Sequence, residues 1–301
     1  IDIIKIKAKG IREVFMKRKI TLLLVIVSIL SMVTGCVTIN LGSHEKETSK
    51  VEDVQSSEKN DSNKNETTNK KESSNEDKSN EQQTNKDDDS NKENSNINIV
   101  IDPGHSSTGK SGNEPVSPNS STTKLKDGLG ATGSYTNIPE HKTNMSVALL
   151  VKKELTSKGY NVILTKQDVA ESKSNIERAQ VGNKNNADLV VRIHADSAED
   201  SSVNGASMHV PANNEYTSSF YKISKSYGTT ILNTYVNEIG IKNRGVIERN
   251  DLTGFNWSKV PVVLIEMGFL SNKEDDNFVS NTANHPKIAK AISDGIDKCF
   301  E

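Results

Sequence analysis

The sequence predicts an α/β fold: a single three-layer domain with a twisted, mostly parallel sheet covered by helices on both faces. Two observations lead to this prediction. From residue 97 onward, short apolar runs alternate with amphipathic segments, which is the order produced when strands and helices alternate along a chain. The stretch 97–301 also has the length of one domain. Sheets of this kind bind ligands at the carboxyl ends of their strands.

Five apolar runs predict the strands of this sheet. Several of them are rich in Val and Ile, whose branched side chains favour extended backbone. The predicted strands are residues 97–101, 161–165, 189–193, 206–210 and 262–265.

Two of the covering helices are predicted from their spacing and their end signals. Residues 143–158 place four apolar side chains on one face, and Gly159 ends that helix. Ser174 and Glu177 have the spacing of a capping box, which opens a second helix that runs toward Asn186.

Apolar stripes predict two further helices. Residues 286–300 form the last helix, which packs on the sheet and leaves Cys299 as an ordinary thiol near its end. The third helix carries a stripe at helical spacing that we interpret as core rather than as a ligand site. The members of this stripe are Tyr216, Phe220, Ile223, Tyr227 and Ile231.

The chain before residue 97 has a different composition and predicts an export signal followed by a tether. Residues 55–96 contain no hydrophobic residue, so this stretch cannot offset the entropy lost on ordering, and we predict a disordered tether over 37–96. A basic start at Met16 and an apolar run over 20–33 have the layout of an export signal. Residues 1–15, which precede it, are interpreted as translated upstream sequence.

Cys36 ends a short motif that resembles the lipobox of bacterial lipoproteins. The motif is Val33-Thr34-Gly35-Cys36. The resemblance implies that the signal over 16–36 is cleaved and that Cys36 carries a lipid, although an uncleaved signal anchor is the alternative. Both interpretations place the domain on the outer face of the cytoplasmic membrane, facing the cell wall.

The charge of the domain argues against nucleic-acid binding, and the cysteine content gives little sign of a disulfide. The formal net charge is −2 at pH 7, and the domain itself is nearly neutral because the basic start and the acidic tether offset each other. A nearly neutral domain lacks the basic surface that nucleic-acid binding requires. Two cysteines at opposite ends of the chain are a weak signal for a disulfide.

Four polar groups suited to metal-dependent hydrolysis fall at one predicted edge of the sheet. His105 and His194 each follow a predicted strand, and Glu266 ends another. Glu140 lies just before the first predicted helix. A right-handed strand-helix-strand unit begins its helix at the carboxyl end of the preceding strand, so Glu140 is expected to meet the histidines.

Two imidazoles and one carboxylate are the ligands of many catalytic zinc sites, because three protein ligands leave the fourth position to water. Zinc lowers the pKa of that water toward ~7. A second carboxylate must then accept a proton and deliver it to the departing nitrogen, and Glu266 is the candidate. The alternative for each histidine is an ordinary hydrogen-bonding role in a loop.

Seven segments, in order along the chain, together resemble the zinc-dependent N-acetylmuramoyl-L-alanine amidases of the amidase type 3 family. The resemblance covers the chain from about residue 97 to the last helix. The segments are 99–105, Pro139-Glu140, 159–165, Glu177-Arg178-Ala179, 187–194, Arg244-Gly245-Val246 and 261–272.

This resemblance implies that His105, Glu140 and His194 hold Zn²⁺ and that Glu266 is catalytic. The implied substrate is peptidoglycan, cut at the amide between the lactyl group of N-acetylmuramic acid and the L-alanine of the stem peptide. A zinc peptidase acting on the stem peptide is one alternative. A non-catalytic wall-binding lipoprotein is another, although the intact set of four residues argues against it.

Departures from the family pattern leave some residues open. The stretch 109–133 is longer than the usual loop and carries Glu114, a rival carboxylate. We prefer Glu140 as the ligand because it precedes a helix, as the ligand of the family does. Arg192 and Asp196 stand where the family often has serine and asparagine, which bears on substrate details.

Three further residues near these motifs have more than one interpretation. Asp102 is expected either to orient an imidazole or to cap the turn at Pro103-Gly104. Arg178 is expected either to bind a substrate carboxylate or to pair inside the domain. His141, beside Glu140, is expected to be exposed, and no function is assigned to the remaining histidines, His44, His209 and His285.

Overall fold

The structure, a computed structural model, describes residues 94–301. The predicted extension over 1–15, the export signal, Cys36 and most of the tether therefore lie outside the described residues. The last three residues of the predicted tether form a short 3₁₀ helix, Asn94–Asn96, at the start of the domain. Within residues 94–301, no helix combines the length and the apolar content needed to cross a membrane.

A six-stranded sheet forms the centre of the domain. The strands of the described residues are β1 (Asn98–Pro103), β2 (Lys110–Pro115), β3 (Thr123–Asp127), β4 (Asn161–Leu164), β5 (Leu189–Asp196), β6 (Ala206–Pro211), β7 (Asn243–Arg249) and β8 (Val262–Phe269). The sheet has the order β4-β1-β5-β8-β6-β7, while β2 and β3 pair as a separate antiparallel hairpin. Neighbours from β4 to β8 are parallel, and only the β8-β6 pair is antiparallel. The predicted mostly parallel sheet is confirmed.

Helices cover both faces of this sheet, as predicted. They are α1 (Glu140–Ser157), α2 (Asn175–Lys184), α3 (Tyr221–Ile239), α4 (Thr253–Asn256), α5 (Lys273–Val279) and α6 (His285–Asp297), with a 3₁₀ helix at Thr282–Asn284. Helices α1, α3 and α6 pack together on one face, and α2 and α4 lie on the other. Successive side chains of β1 point to opposite faces of the sheet. Ile99 and Ile101 therefore enter the larger core on one face, and Val100 enters the smaller core on the other.

The hairpin, β7 and the short helices α4 and α5 are elements that the sequence does not predict. Most residues of β2, β3 and β7 are exposed or half-buried, so these strands carry no apolar run. Helix α5 has seven residues and is held at its start by Asn272, whose side chain accepts hydrogen bonds from two backbone N–H groups. Such elements form through contacts with the rest of the domain rather than through their own periodicity.

The apolar stripe predicted for α3 is wrong in part. Tyr216 and Phe220 precede the helix, and Ile223 is 40% exposed. Gly228 faces the sheet instead, so closely that a Cβ at this position would lie 2.7 Å from Cγ1 of Val210. The helix therefore approaches the sheet through a small residue, a choice that apolar spacing does not reveal.

Candidate active site

His105 lies in the turn that follows β1 and has a strained backbone. Its φ is +59°, in the left-handed region that costs a residue with a side chain on the order of 1–3 kcal/mol. The carbonyl oxygen of His105 accepts hydrogen bonds from the ammonium group of Lys166 and, at 3.4 Å, from the guanidinium of Arg178. Nδ1 of His105 donates to the carbonyl oxygen of Gly128 at 2.9 Å. The other ring nitrogen, Nε2, lies 3.4 Å from Oε2 of Glu140.

Glu140 is the first residue of α1, which begins three residues earlier than predicted. Its Oε2 accepts a hydrogen bond from the N–H of Ala131 at 2.9 Å, and its Oε1 accepts from the N–H of Ala195 at 3.2 Å and from Asn144 at 3.0 Å. Burial alone would raise the pKa of Glu140. The hydrogen bond from His194, the nearby imidazole charges and the Ala131 N–H outweigh burial and lower this pKa to about 2. The group is therefore a carboxylate at neutral pH.

His194 lies on β5, with its Nδ1 3.1 Å from Oε1 of Glu140. The ring packs directly on Gly104, where a Cβ would lie 2.2 Å from Cε1 of the imidazole. Burial lowers the pKa of His194 to about 4, although the hydrogen bond to Glu140 acts in the opposite direction. The imidazole is therefore neutral at neutral pH, the form in which histidine binds metals.

The structure brings His105, Glu140 and His194 together, with one ligand-type atom of each lying within 4.8 Å of the others. The centroids of the two imidazole rings are 4.8 Å apart. Nε2 of His194 is buried and has no hydrogen-bond partner among the described residues, and a buried unpaired nitrogen of this kind calls for an explanation. Two imidazoles beside an ionised carboxylate are a donor set that fits a divalent cation of the zinc type.

Glu266 lies on β8 directly opposite His194 in the sheet register. Its side chain is buried, and its Oε2 has no hydrogen-bond partner in the part of the chain that the structure describes. Burial, followed by the negative charges of Glu140 and Asp196, raises the pKa of Glu266 well above its usual value. A carboxyl group with a raised pKa is suited to accepting a proton and returning it near neutral pH.

Comparison with known proteins identifies the family. The model of one family, described as N-acetylmuramoyl-L-alanine amidase, matches residues 99–298 of the chain. The chain belongs to this family. The resemblance stated from the sequence motifs is confirmed, and the matched region is an N-acetylmuramoyl-L-alanine amidase domain, which makes it a hydrolase.

Individual relatives are distant in sequence. The uncharacterized protein YqiI of Bacillus subtilis (strain 168) is 28% identical over 162 residues, which cover 54% of this chain and 75% of YqiI. The probable cell wall amidase LytH of Staphylococcus epidermidis is 24% identical over 203 residues, which cover 67% of this chain and 58% of LytH. The crystal structure of the N-acetylmuramyl-L-alanine amidase Ami1 from Mycobacterium smegmatis matches with a TM-score of 0.62 at 23% identity, covering 69% of this chain and 98% of Ami1. That likeness shows the fold.

Asp102, near the end of β1, pairs with two buried arginines. Its Oδ1 accepts a hydrogen bond from Nη1 of Arg178 and its Oδ2 from Nε of Arg192, both at 2.8 Å, and Thr165 donates a third. Burial would raise the pKa of Asp102, but the two guanidinium charges outweigh it and hold the pKa well below its usual range. Both roles predicted for Asp102 are wrong, because the N–H of Gly104 donates to Ile193 and Nδ1 of each proposed ligand histidine contacts a different residue. Arg178 pairs inside the domain, with Asp127 as a second partner at 3.3 Å.

Glu114, the rival carboxylate, does not join the amidase cluster. It lies on β2 and accepts hydrogen bonds from the N–H groups of Asn175 at 2.8 Å and Ile176 at 3.3 Å. These N–H groups belong to the first turn of α2, which has no intrahelical partners for them. Glu114 therefore ties the hairpin to a helix start, and the structure brings Glu140 to the histidines instead.

Two other histidines of the amidase domain serve its interior. The expectation that His141 is exposed is wrong, since it is 7% exposed and burial lowers its pKa. The early start of α1 explains this, because it places His141 in the first helical turn rather than in a loop. His285 donates from Nε2 to the carbonyl oxygen of Val279 and accepts at Nδ1 from Ser146, so it connects two elements.

Sequence reasoning missed Gly130 and Lys166 as residues that support the site. Gly130 has a φ of +79°, and a Cβ there would lie 2.7 Å from both Oε2 of Glu140 and Cδ2 of His105, so only glycine fits. Lys166 follows a buried strand at its carboxyl end, which is the same signal that identified the histidines.

Proposed function

We propose that this domain cleaves the amide between N-acetylmuramic acid and L-alanine in peptidoglycan, with zinc held by His105, Glu140 and His194. We further propose that Glu266 accepts a proton from the attacking water and delivers it to the departing nitrogen. The observation that carries this proposal is the convergence of two imidazoles, one carboxylate and a second acid at one edge of the sheet. The LytH relatives support the substrate, since they are named probable cell wall amidases.

Each residue has a separate part in the proposed reaction. Bound zinc supplies a Lewis acid for the scissile carbonyl and a water with a pKa near ~7. Glu266 accepts a proton as the water oxygen bonds to the carbonyl carbon, and it returns that proton to the nitrogen as the carbon-nitrogen bond breaks. The products are a lactyl carboxylate and a stem peptide with a free amino group. The hydrogen bonds to Gly128 and Ala131 keep His105 and Glu140 oriented while this occurs.

Replacing Glu266 by Gln tests this assignment directly. The amide keeps the size of the side chain and removes the proton acceptor, so we expect zinc content to stay near one ion per chain while cleavage falls by at least roughly 100-fold. Glu248→Gln is the matched control, because Glu248 is an exposed glutamate of β7 that pairs with Lys225. Zinc is measured by metal analysis, and the products are measured by mass spectrometry of digested muropeptides.

The product masses separate the alternatives. Sugar chains without peptide identify an amidase, whereas shortened stem peptides identify a peptidase and refute the proposed bond. A wild-type protein that holds no zinc and releases neither product refutes the proposal in favour of a non-catalytic wall-binding protein. A fully active Glu266→Gln variant removes Glu266 from the mechanism.

For the segment before the domain, we propose export and lipid attachment at Cys36, which places the domain on the outer face of the cytoplasmic membrane. The basic start, the apolar run and the lipobox-like motif of 33–36 support this proposal. Fully extended, the tether over 37–96 spans roughly 200 Å at ~3.3 Å per residue, which lets an anchored domain search the nearby wall. Labelled fatty acid should enter the wild-type protein in cells and be absent from Cys36→Ser. Equal labelling of both proteins refutes attachment at Cys36.

A further inference from the structure

A polar cluster lies on the same face of the sheet as Glu266, beyond the proposed zinc ligands. Ser207 of β6 is paired with Glu266 in the antiparallel register, and His209 follows two residues later. Alternate residues of a strand share one face, so His209 lies on the face of Glu266. Met208 and Val210 enter the larger core on the opposite face.

Arg249 reaches His209 from the neighbouring strand. Its Nη1 lies 3.4 Å from Nδ1 of His209. A guanidinium only donates, so Nδ1 accepts and the ring hydrogen of His209 is on Nε2. Burial and the charge of Arg249 lower the pKa of His209, which keeps the ring neutral. His209 is thus held as a neutral N–H donor beside a permanent cation.

Asp251 and Lys124 hold this pair in place. Asp251 accepts from Nε of Arg249 at 2.8 Å and from Nη2 at 2.9 Å, a two-pronged contact that orients the guanidinium. Lys124 of β3 binds the same carboxylate at 2.7 Å. Asp251, Arg249 and Lys124 together carry a net positive charge, and the negative charge of Asp196 also acts on Arg249 and His209. Lys124 belongs to the stretch 109–133, where this chain is longer than the family pattern.

We propose that His209 and Arg249 bind a carboxylate of the stem peptide and thereby select substrates that carry one. This inference rests on the proposed amidase function. Glu266 of β8 and His209 of β6 are diagonal cross-strand neighbours, which lie roughly 7–8 Å apart. In an extended peptide, a carboxyl group on the residue after L-alanine lies roughly 6–7 Å from the cleaved nitrogen. The spacing between Glu266 and the cluster therefore matches the spacing between the cleaved bond and that carboxylate. The side chain of Arg249 is 31% exposed, so it is open to a ligand.

Two muramoyl peptides that differ in one group test this proposal. One carries a free carboxylate on the residue after L-alanine, and the other carries a carboxamide there. We expect the wild-type protein to favour the carboxylate by roughly tenfold or more in kcat/KM, the scale expected for a charge-assisted contact. Arg249→Gln should raise KM for the carboxylate substrate by a similar factor, and any effect of its lost charge on Glu266 should change kcat equally for both substrates. Arg249→Lys, which keeps the charge, should recover part of the preference.

Controls separate binding from folding and from the amidase proposal itself. Lys225→Gln removes an exposed cation that contacts β7 through Glu248, and it should leave both substrates unaffected. Thermal unfolding shows whether each variant is folded. If Arg249→Gln does not fold, His209→Phe, which removes the N–H donor and also the Nδ1 acceptor of Arg249, must show the same selective loss.

Three results overturn the inference. They are equal kcat/KM for the two substrates in the wild type, an equal loss on both substrates in Arg249→Gln or His209→Phe, and unchanged kinetics in these variants. Failure of the amidase proposal looks different, because the wild type then cleaves neither substrate.

Discussion

Replacing Asp102 by Asn removes the one charge that Arg178 and Arg192 share. Asp102 is 1% exposed, and the side chains of the two arginines are 3% and 7% exposed, so water cannot take over their solvation. Removing one partner of a buried ion pair costs about 3–5 kcal/mol. Arg192 would lose its acidic partner, whereas Arg178 would keep Asp127 at 3.3 Å, so we expect a cost near the middle of that range. This is a large share of the roughly 5–15 kcal/mol that stabilises a typical domain. We therefore expect Asp102→Asn to lower the free energy of unfolding by about 4 kcal/mol.

Urea unfolding at neutral pH measures this loss directly, and a thermal melt should show a decrease of roughly 8–16 °C. Glu248→Gln is the control for loss of a carboxylate, because its partner Lys225 is exposed and the pair should contribute little. A loss below about 1 kcal/mol for Asp102→Asn would refute the reasoning, since it would show that the arginines do not depend on this carboxylate.

The pH dependence of the same variant provides a second check. Folding lowers the pKa of Asp102, so its contribution is complete above the unfolded pKa of about 3.9 and is lost as the pH falls through the lower folded pKa. The stability difference between the wild type and Asp102→Asn should therefore shrink as the pH falls from about 5 toward about 2. A difference that stays constant over this range contradicts the assignment.

Three further predictions concern the proposed zinc site. Gly104→Ala should weaken zinc binding by roughly 10–100-fold, measured by competition with a chelator, because the added Cβ displaces the ring of His194; unchanged affinity would show that the ring has room to move. His194→Ala should abolish stoichiometric zinc binding in metal analysis while the protein stays folded by circular dichroism, and a retained ion would exclude His194 as a ligand. Lys166→Met should weaken zinc binding by roughly tenfold through the turn at His105, and Lys166→Arg should recover it; equal affinities in both variants would assign Lys166 to stability alone.

Much of the fold follows from periodicity that the chain carries locally. All five predicted strands are present, because each carries apolar residues that the sheet buries. The edge strand β7 and the β2-β3 hairpin are not predicted from the sequence, because they lack an apolar run. Their residues are polar and partly exposed, and they become strands only because a neighbouring strand supplies hydrogen bonds.

In the candidate site, the four reacting groups were predicted from the sequence, whereas the residues that support them were not. Chemistry and topology bring His105, Glu140, His194 and Glu266 to one edge, since the carboxyl ends of parallel strands meet there. The supporting residues depend on contacts that no local pattern records. Lys166 binds a carbonyl group 61 positions away along the chain.

The sequence by itself determined five of the strands, four of the helices, the four groups of the proposed reaction and the family motifs, and it led to the prediction of export and lipid attachment before the domain. Only the tertiary structure decided what each remaining polar group does. It assigned Asp102 to two arginines, Glu114 to a helix start and His141 to the interior, and it placed His209 and Arg249 beside each other. The physical reason is that hydrogen bonds and ion pairs form between groups that are close in space, whereas a sequence pattern shows only which residues are neighbours along the chain.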